Sequence, residues 1–586
     1  MDITIQMRSI DLLIKMLKRD TEGIPQYGYA RQKQPGEILP IAQPLPRCTP
    51  EEAGVSSAVA ERLFRAVEKN VDSLGVHGMM LLRNGRVFAE GYWAPYRPEV
   101  PHMLYSASKS IISTAVGFAY DEGLIDLDRR LDDIFPEQPA SPYKWARLLT
   151  LRHLLTMSTG IRFNEIGSAL DKDWVKMFME SAPRFEPGTQ FEYNSLNTYM
   201  LSAALCRITG QSITEYLTPR LYEPLGITNA QWEKCPMGIE KGGWGLSLCM
   251  EDLAKIAQLY LNRGMWGEKR LLSEEWIAMA TSPQIATPNG EINQGYGFQI
   301  WMNANGVYQF NGAFGQYAVM FPNINAAAII FSGSNQLFAK SSLMEALSSC
   351  LWSAADEPLP EYPEGCRRLA EYTKSLVFSP TPSRAGLETD PAQFDRLCET
   401  LHGREYRLND NHGALFPQPL QSVHGCFSLG TDVVRFERQD ENTLAVTFYE
   451  HYERNTLYVK RSGGFVDSRY GIKEEDHLVS TRGVWMWDEE EICLTLFTSF
   501  IETPDTRIIE MRMIGENMEI IFDETPSAEN ATAMLLELVG LMDEKAVKRL
   551  VPAMKHVPGF NENSMNELVK KYAAPRAFGR MIHSHI

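Results

Sequence analysis

Apolar residues fall into alternating helical and strand-like blocks along the first 350 positions. Val59, Leu63, Phe64 and Val67 recur at helical spacing and predict a helix over residues 56–70. Two apolar runs flank Asn84-Gly85, the dipeptide best suited to a two-residue hairpin turn, so residues 79–91 read as a β-hairpin. Further helices are predicted from Ser106 through Tyr120, over residues 149–160 with Gly160 as the closing residue, from Ser195 to about Gly210, and over residues 252–262. Tyr296 begins a strand block, with adjacent antiparallel strands over 308–312 and 317–321, another over 326–332, and a closing helix over 339–352.

The pattern changes at Asp356-Glu357-Pro358-Leu359-Pro360-Glu361-Tyr362-Pro363, where prolines break any regular element. Short strands follow over 433–438, 444–449, 457–460 and 493–498, then a hairpin of 508–514 and 518–522 around Gly515-Glu516-Asn517. The last sixty residues return to helical spacing. The expected fold class is α+β, with an N-terminal arm (1–45, containing a short helix over 10–17), a mixed domain (46–355), a linker (356–399), a β-rich domain (400–525) and a helical tail (526–586). A chain of 586 residues is too long for one core, which agrees with this division.

Charge and cysteine usage narrow the function classes. Lys plus Arg number 57 against 74 Asp plus Glu, a net charge of −17, which argues against nucleic acid or an anionic membrane as the main partner. No apolar stretch is long enough to span a bilayer, and the first residues lack a secretory pattern. The nine scattered cysteines form no Cys-x-x-Cys pair and point to reduced thiols in a cytoplasmic setting. The acids of Asp126-Leu127-Asp128 and Asp132-Asp133 lack the glycine and late glutamate of a calcium loop, and read as caps and turns. His583 and His585 read as tail rather than as metal ligands. No cofactor and no metal are expected.

The candidate chemistry lies in Ser106-Ala107-Ser108-Lys109. A serine and a lysine three apart at a helix start project together. A hydroxyl needs a base to become a nucleophile, and a lysine buried among apolar neighbours can supply one. Only His77, His102 and His153 occur in the mixed domain, and no Gly-x-Ser-x-Gly elbow surrounds a serine, which disfavours a Ser-His-Asp site.

Taken in order, Asn84-Gly85, Ser106-Ala107-Ser108-Lys109, residues 121–128, the 149–160 helix, Pro187-Gly188, Tyr193, Pro224-Leu225-Gly226-Ile227 and residues 251–255 make residues 46–352 resemble the serine β-lactamase/penicillin-binding-protein superfamily. The likeness is to its class C-like branch. Tyr296 to Trp301 leans toward 6-aminohexanoate-oligomer hydrolases and carboxylesterases. The resemblance implies Ser106 as nucleophile, Lys109 as proton acceptor or relay, and Tyr193 as second base or acid. It implies an oxyanion hole from the N–H groups of Ser106 and Ala313, with Ser195, Asn311, Gly312 and Phe310 lining the substrate site.

Two departures bear on the substrate. Tyr193-Asn194-Ser195 stands where the family usually has Tyr-x-Asn, and Phe310-Asn311-Gly312 where it has Lys-Thr-Gly or His-x-Gly. Phenylalanine removes a cation that could pair with a substrate carboxylate, so weak or absent β-lactamase activity and turnover of small neutral esters or amides are expected. An acyltransferase on the same scaffold, or a binding protein without chemistry, are the alternatives. Partners are expected to be small substrates and, through the C-terminal region, a second copy of the chain.

Overall fold

The computed structural model describes residues 38–69, 74–138, 141–163, 168, 171–288, 294–335, 341–379, 391–409, 413–473, 475–488, 491–527 and 574–582. These fall into two units, with the boundary along the chain between Phe378 and Ser379. The helix expected over residues 10–17 lies outside the described residues.

In the first unit, α1 (Ser57–Glu68) precedes the hairpin β1 (Val76–Arg83) and β2 (Arg86–Tyr92). Asn84 and Gly85 both take positive φ, 51° and 73°, as the tight turn requires. Later strands β3 (Gly295–Tyr296), β4 (Trp301–Met302), β5 (Tyr308–Gly312), β6 (Gln316–Phe321) and β7 (Ala326–Ser332) complete an antiparallel sheet in the order β2-β1-β7-β6-β5-β4-β3. Closure of β1 against β7, with Met79 opposite Ile330, joins the two ends of the domain sequence. Both strands are buried along their whole length, and their central stretches, residues 79–82 and 326–331, are continuous apolar runs.

Helix α2 (Ser108–Asp121) is buried from Ser108 through Ala119, which explains why its sequence lacks a polar face. It packs against α3 (Ser195–Thr209), and α4 (Met250–Leu261) lies on β1, β6 and β7. Gly117 permits the close approach of Trp276: a Cβ there would lie 2.4 Å from the indole Nε1. His153 completes a capping box with Thr150, and Asp128 pairs with Arg152, so both act structurally.

Part of the expected linker is ordered. Pro363–Lys374 forms a helix on α1, where Arg368 Nε lies 2.7 Å from Glu61 Oε2. The three prolines end one element and begin the next, but the amphipathic run beyond them buries Leu369 and Thr373.

The second unit is a ten-stranded antiparallel sheet: β8 (Glu405–Leu408), β9 (Val433–Asp440), β10 (Thr443–Glu450), β11 (Glu453–Lys460), β12 (Val466–Ile472), β13 (Glu475–Asp488), β14 (Glu491–Phe500), β15 (Thr506–Ile514), β16 (Asn517–Thr525) and β17 (Arg576–Met581). Its order is β11-β10-β9-β8-β17-β16-β15-β14-β13-β12. Edge strands β11 and β12 approach each other, and the Asn455 side chain bridges them by donating to Gly471 O at 3.0 Å and accepting from Gly471 N at 2.8 Å. The result is a near-barrel around a core that includes Phe436, Phe448, Trp485, Phe500 and Phe522. Helix α5 (Gln418–His424) ends at Gly425 in the left-handed region. The helical tail expected over 526–586 lies mostly outside the described residues, and its described end is strand β17, which pairs with β8 and β16.

Candidate active site

Ser106 sits in a single 3₁₀ turn, Tyr105–Ala107, and the α-helix begins two residues later at Ser108. Tyr105 takes φ 47°, a strained value for a large side chain, and its ring meets Phe314 edge-on at 5.3 Å. This kink turns the partly exposed Ser106 out of the helix line while Lys109 stays within it, 1% exposed.

The Lys109 amine is the hub. Its Nζ lies 2.8 Å from Ser106 Oγ, 2.8 Å from Ser195 Oγ and 2.5 Å from the Gly243 carbonyl. A carbonyl only accepts, so one N–H is committed to Gly243, whereas the two hydroxyls can donate or accept. In the neutral amine, N–H groups directed at Gly243 and Ser195 leave the lone pair for the Ser106 proton. Gly243 can come this close because it has no side chain: a Cβ would lie 2.4 Å from Ser195 O.

Tyr193 precedes α3, and its ring centroid is 4.9 Å from Lys109 Nζ. Asn194 fixes that approach. It caps α3 by accepting from Leu196 N and donates to the carbonyls of Ile161 and Phe163. The Tyr193 ring stacks on Trp301 at 5.7 Å, and Phe191 and Tyr296 complete an aromatic wall. Burial pushes the Tyr296 hydroxyl well above its ordinary range, so it stays protonated beside Tyr193. Burial likewise raises the Glu192 carboxyl, opposed by Arg184 and Arg162.

The end of β5 abuts the nucleophile turn. A Cβ at Gly312 would lie 2.1 Å from Leu104 O and 3.2 Å from Ala107 N, so a side chain there would displace the turn. Ala313 follows at the half-exposed bend, where its carbonyl accepts from Gln316 Nε2 at 3.2 Å. Asn311 is 6% exposed, and its Oδ1 has no hydrogen-bond partner among the described residues.

The structure thus brings Ser106, Lys109, Tyr193 and Ser195 together, with Gly312 against the turn that carries Ser106. Phe310 departs from expectation. It is fully buried and packs edge-on against Tyr260 at 5.1 Å, because strand alternation aims it into the core beneath the sheet. His77 and His102 form a separate buried pair, 3.2 Å apart between ring nitrogens.

Three contributors were not singled out from sequence: Gly243, Gln299 and Gln316. Gln299, φ 62° and fully buried, donates to the carbonyls of Leu154 and Leu155 and accepts from Thr198, while its own carbonyl accepts from Ser110. It therefore ties α2 to α3. A polar residue in an otherwise apolar block was the available signal.

Comparison with known proteins places this geometry among relatives. Residues 63–344 match the Beta-lactamase family model. A 6-aminohexanoate-dimer hydrolase of Paenarthrobacter ureafaciens is 28% identical over 274 residues, which cover 41% of this chain and 67% of that protein. A monacolin J acid methylbutanoyltransferase of Aspergillus terreus is 28% identical over 23% of this chain and 38% of its own length. Lovastatin esterase of Penicillium rubens is 28% identical over 25% and 43%. Thus the matches to the two fungal proteins span less than half of their lengths. Among solved structures, the octameric penicillin-binding protein homologue of Pyrococcus abyssi is 16% identical with TM-score 0.42, covering 79% of this chain and 98% of that one.

Proposed function

From the premise that residues 63–344 belong to the serine β-lactamase/penicillin-binding-protein superfamily, we propose that this chain cleaves a small neutral ester or amide through an acyl-Ser106 intermediate. The observation that carries the reading is the position of Lys109 Nζ, within hydrogen-bond distance of Ser106 Oγ while Ser195 and Gly243 hold its other contacts.

Neutral Lys109 takes the Ser106 proton as Oγ attacks the substrate carbonyl. The N–H groups of Ser106 and Ala313 receive the developing oxyanion, an interaction typically worth about 2.7–4 kcal/mol per donor. Tyr193, beside the protonated amine, relays a proton to the departing alcohol or amine. Water then enters, gives up its proton through the same residues, and releases the acid and Ser106.

The aromatic wall of Phe191, Tyr193, Tyr296 and Trp301 favours an apolar acyl or leaving group. The aromatic wall, together with Ser195, offers no cation to a substrate carboxylate, so turnover of β-lactams is weak or absent. The names of the relatives include a 6-aminohexanoate-dimer hydrolase, an esterase and a methylbutanoyltransferase, which supports both hydrolysis and transfer to a second alcohol or amine. A cytoplasmic setting fits nine cysteines of which none is held in a disulfide. Self-association through residues 400–525 remains part of the reading, and sedimentation of the full chain tests it.

Incubation with a p-nitrophenyl ester or a fluorophosphonate, followed by intact and peptide mass spectrometry, tests the chemistry. An acyl or phosphonyl adduct on Ser106, absent from Ser106→Ala, is expected. A folded protein that takes no label and releases no nitrophenol would favour the non-catalytic binding reading. Supplying alcohols and amines as acceptors separates transfer from hydrolysis.

A further inference from the structure

The second unit holds a cluster of side chains that plays no part in this chemistry. Glu475 and His477 stand two residues apart on β13 and so share a strand face. His424 reaches them from the end of α5. All three are buried, with side-chain exposures of 3% for Glu475, 2% for His477 and 4% for His424.

We propose that His424, Glu475 and His477 bind a divalent transition-metal ion of the zinc class inside the C-terminal near-barrel. Their donor atoms converge: Glu475 Oε2 lies 3.2 Å from His424 Nδ1 and 3.3 Å from His477 Nε2, and one ligand atom from each residue falls within 4.8 Å of the others. Ligands held at about 2.0–2.2 Å around a tetrahedral ion are roughly 3.3–3.6 Å apart, so two of the three edges already have the required length. Two imidazoles and a carboxylate suit zinc, cobalt or iron(II), and are a poor set for calcium or magnesium, which want oxygen ligands.

Beyond the two imidazoles that approach Oε2, the surroundings of the Glu475 carboxylate are largely aromatic. Phe416 lies 5.0 Å from the His477 ring, with Phe500 and Tyr470 at 6.0 and 6.4 Å. The Tyr470 hydroxyl donates to a different acid, Glu450. Glu475 Oε1 is buried with no hydrogen-bond partner among the described residues. A buried carboxylate normally has its lone pairs satisfied by donors or by a metal. A bound cation would take up the Glu475 charge and hold the three ligands that link α5 to β13.

Full-length protein stripped with dipicolinate and dialysed is titrated with zinc chloride by calorimetry and with cobalt(II) chloride by visible absorption. The expected result is one ion per chain and the strong d–d bands of a four- or five-coordinate cobalt site. Paramagnetically shifted imidazole N–H resonances should appear in the wild-type cobalt form. Glu475→Gln and His477→Gln, shown folded by circular dichroism, should weaken zinc binding at least tenfold. Weak octahedral cobalt absorption without shifted imidazole signals in the wild-type chain would overturn the proposal. So would unchanged zinc stoichiometry and affinity in either folded variant. The wild-type spectra decide the matter if both variants fail to fold.

Discussion

The Gly243 carbonyl lies 2.5 Å from Lys109 Nζ and fixes one N–H of the amine away from Ser106. Alanine at position 243 would place a Cβ 2.9 Å from Ser195 Cβ and 2.4 Å from Ser195 O, so the loop must move and carry the carbonyl with it. Gly243→Ala should therefore lower kcat on a p-nitrophenyl ester by at least tenfold, with little change in KM. Steady-state kinetics alongside thermal melting check this. Wild-type kcat in a folded variant would show that the carbonyl does not orient Lys109.

Ser195 supplies the second hold on the amine. Removing a hydrogen bond to a charged group costs about 1.5–3 kcal/mol, or roughly ten- to hundredfold in rate if the bond matters in the transition state. Ser195→Ala should fall in that range. Ser195→Thr, which keeps the hydroxyl, should recover part of the loss. Equal kcat in wild type and Ser195→Ala would show that Ser195 does not position the Lys109 amine.

The convergence of Ser106, Lys109 and Tyr193 was legible because each sits at an element start: Ser106 and Lys109 at the beginning of α2, Tyr193 just before α3. Local spacing and order sufficed there. Gly243 was invisible because a glycine in a loop acts through its carbonyl, and only the fold brings residues 109 and 243 together. Phe310 was misplaced for a related reason. Its motif position suggested a pocket wall, but the side of the sheet it faces depends on which helix covers β5. In the second unit, Leu444 and Ile508 announced strands through apolar alternation. Strands β12 and β13 carry Asp467, Ser468, Arg469, Asp476 and His477, and their pattern hid them. The last strand, β17, completes the sheet between β8 and β16 from a segment whose composition resembled a helical tail.

The burial of Phe310 makes a separate prediction. Phe310→Ala would open a cavity beside Tyr260 and cost about 3–5 kcal/mol of stability. The ratio of kcat/KM between short and long acyl esters should stay within about threefold of wild type, since the ring does not face substrate. Urea unfolding and an ester series test both halves. A changed chain-length preference at unchanged stability would return Phe310 to the pocket wall.

Asp252 gives the first unit a pH dependence. Burial raises its carboxyl to about 6, against the opposing pull of Lys255 at 3.3 Å. The folded chain thus holds this proton more tightly than the unfolded chain, whose value is 3.8. The resulting stabilisation is fully present below pH 3.8 and is lost as pH rises through 6. A shift of this size corresponds to about 3 kcal/mol. Asp252→Asn, which stays neutral throughout, should gain stability relative to wild type as pH rises from 4 to 7. Urea melts across that range read the difference, and parallel curves for the two proteins would contradict it.

Two side chains of β11 reach across the seam of the near-barrel: Glu453 accepts from Lys473 N at 2.8 Å, and Asn455 pairs with Gly471. Asn455, 3% exposed, pairs with both the N–H and the carbonyl of Gly471, so a single amide replaces a rung of the missing β11–β12 ladder. Truncation to Asn455→Ala leaves two backbone groups without these partners, each worth about 1–3 kcal/mol when buried and unsatisfied. The cost should fall mainly on the second unit, because both residues lie within it. Hydrogen exchange should show faster exchange of the Gly471 amide, with amides of β1 and β7 in the first unit unchanged. Asn455→Asp retains the acceptor but not the donor, and should protect the Gly471 amide while leaving its carbonyl unpaired. Equal exchange at Gly471 in wild type and Asn455→Ala would show that the seam is closed by other contacts.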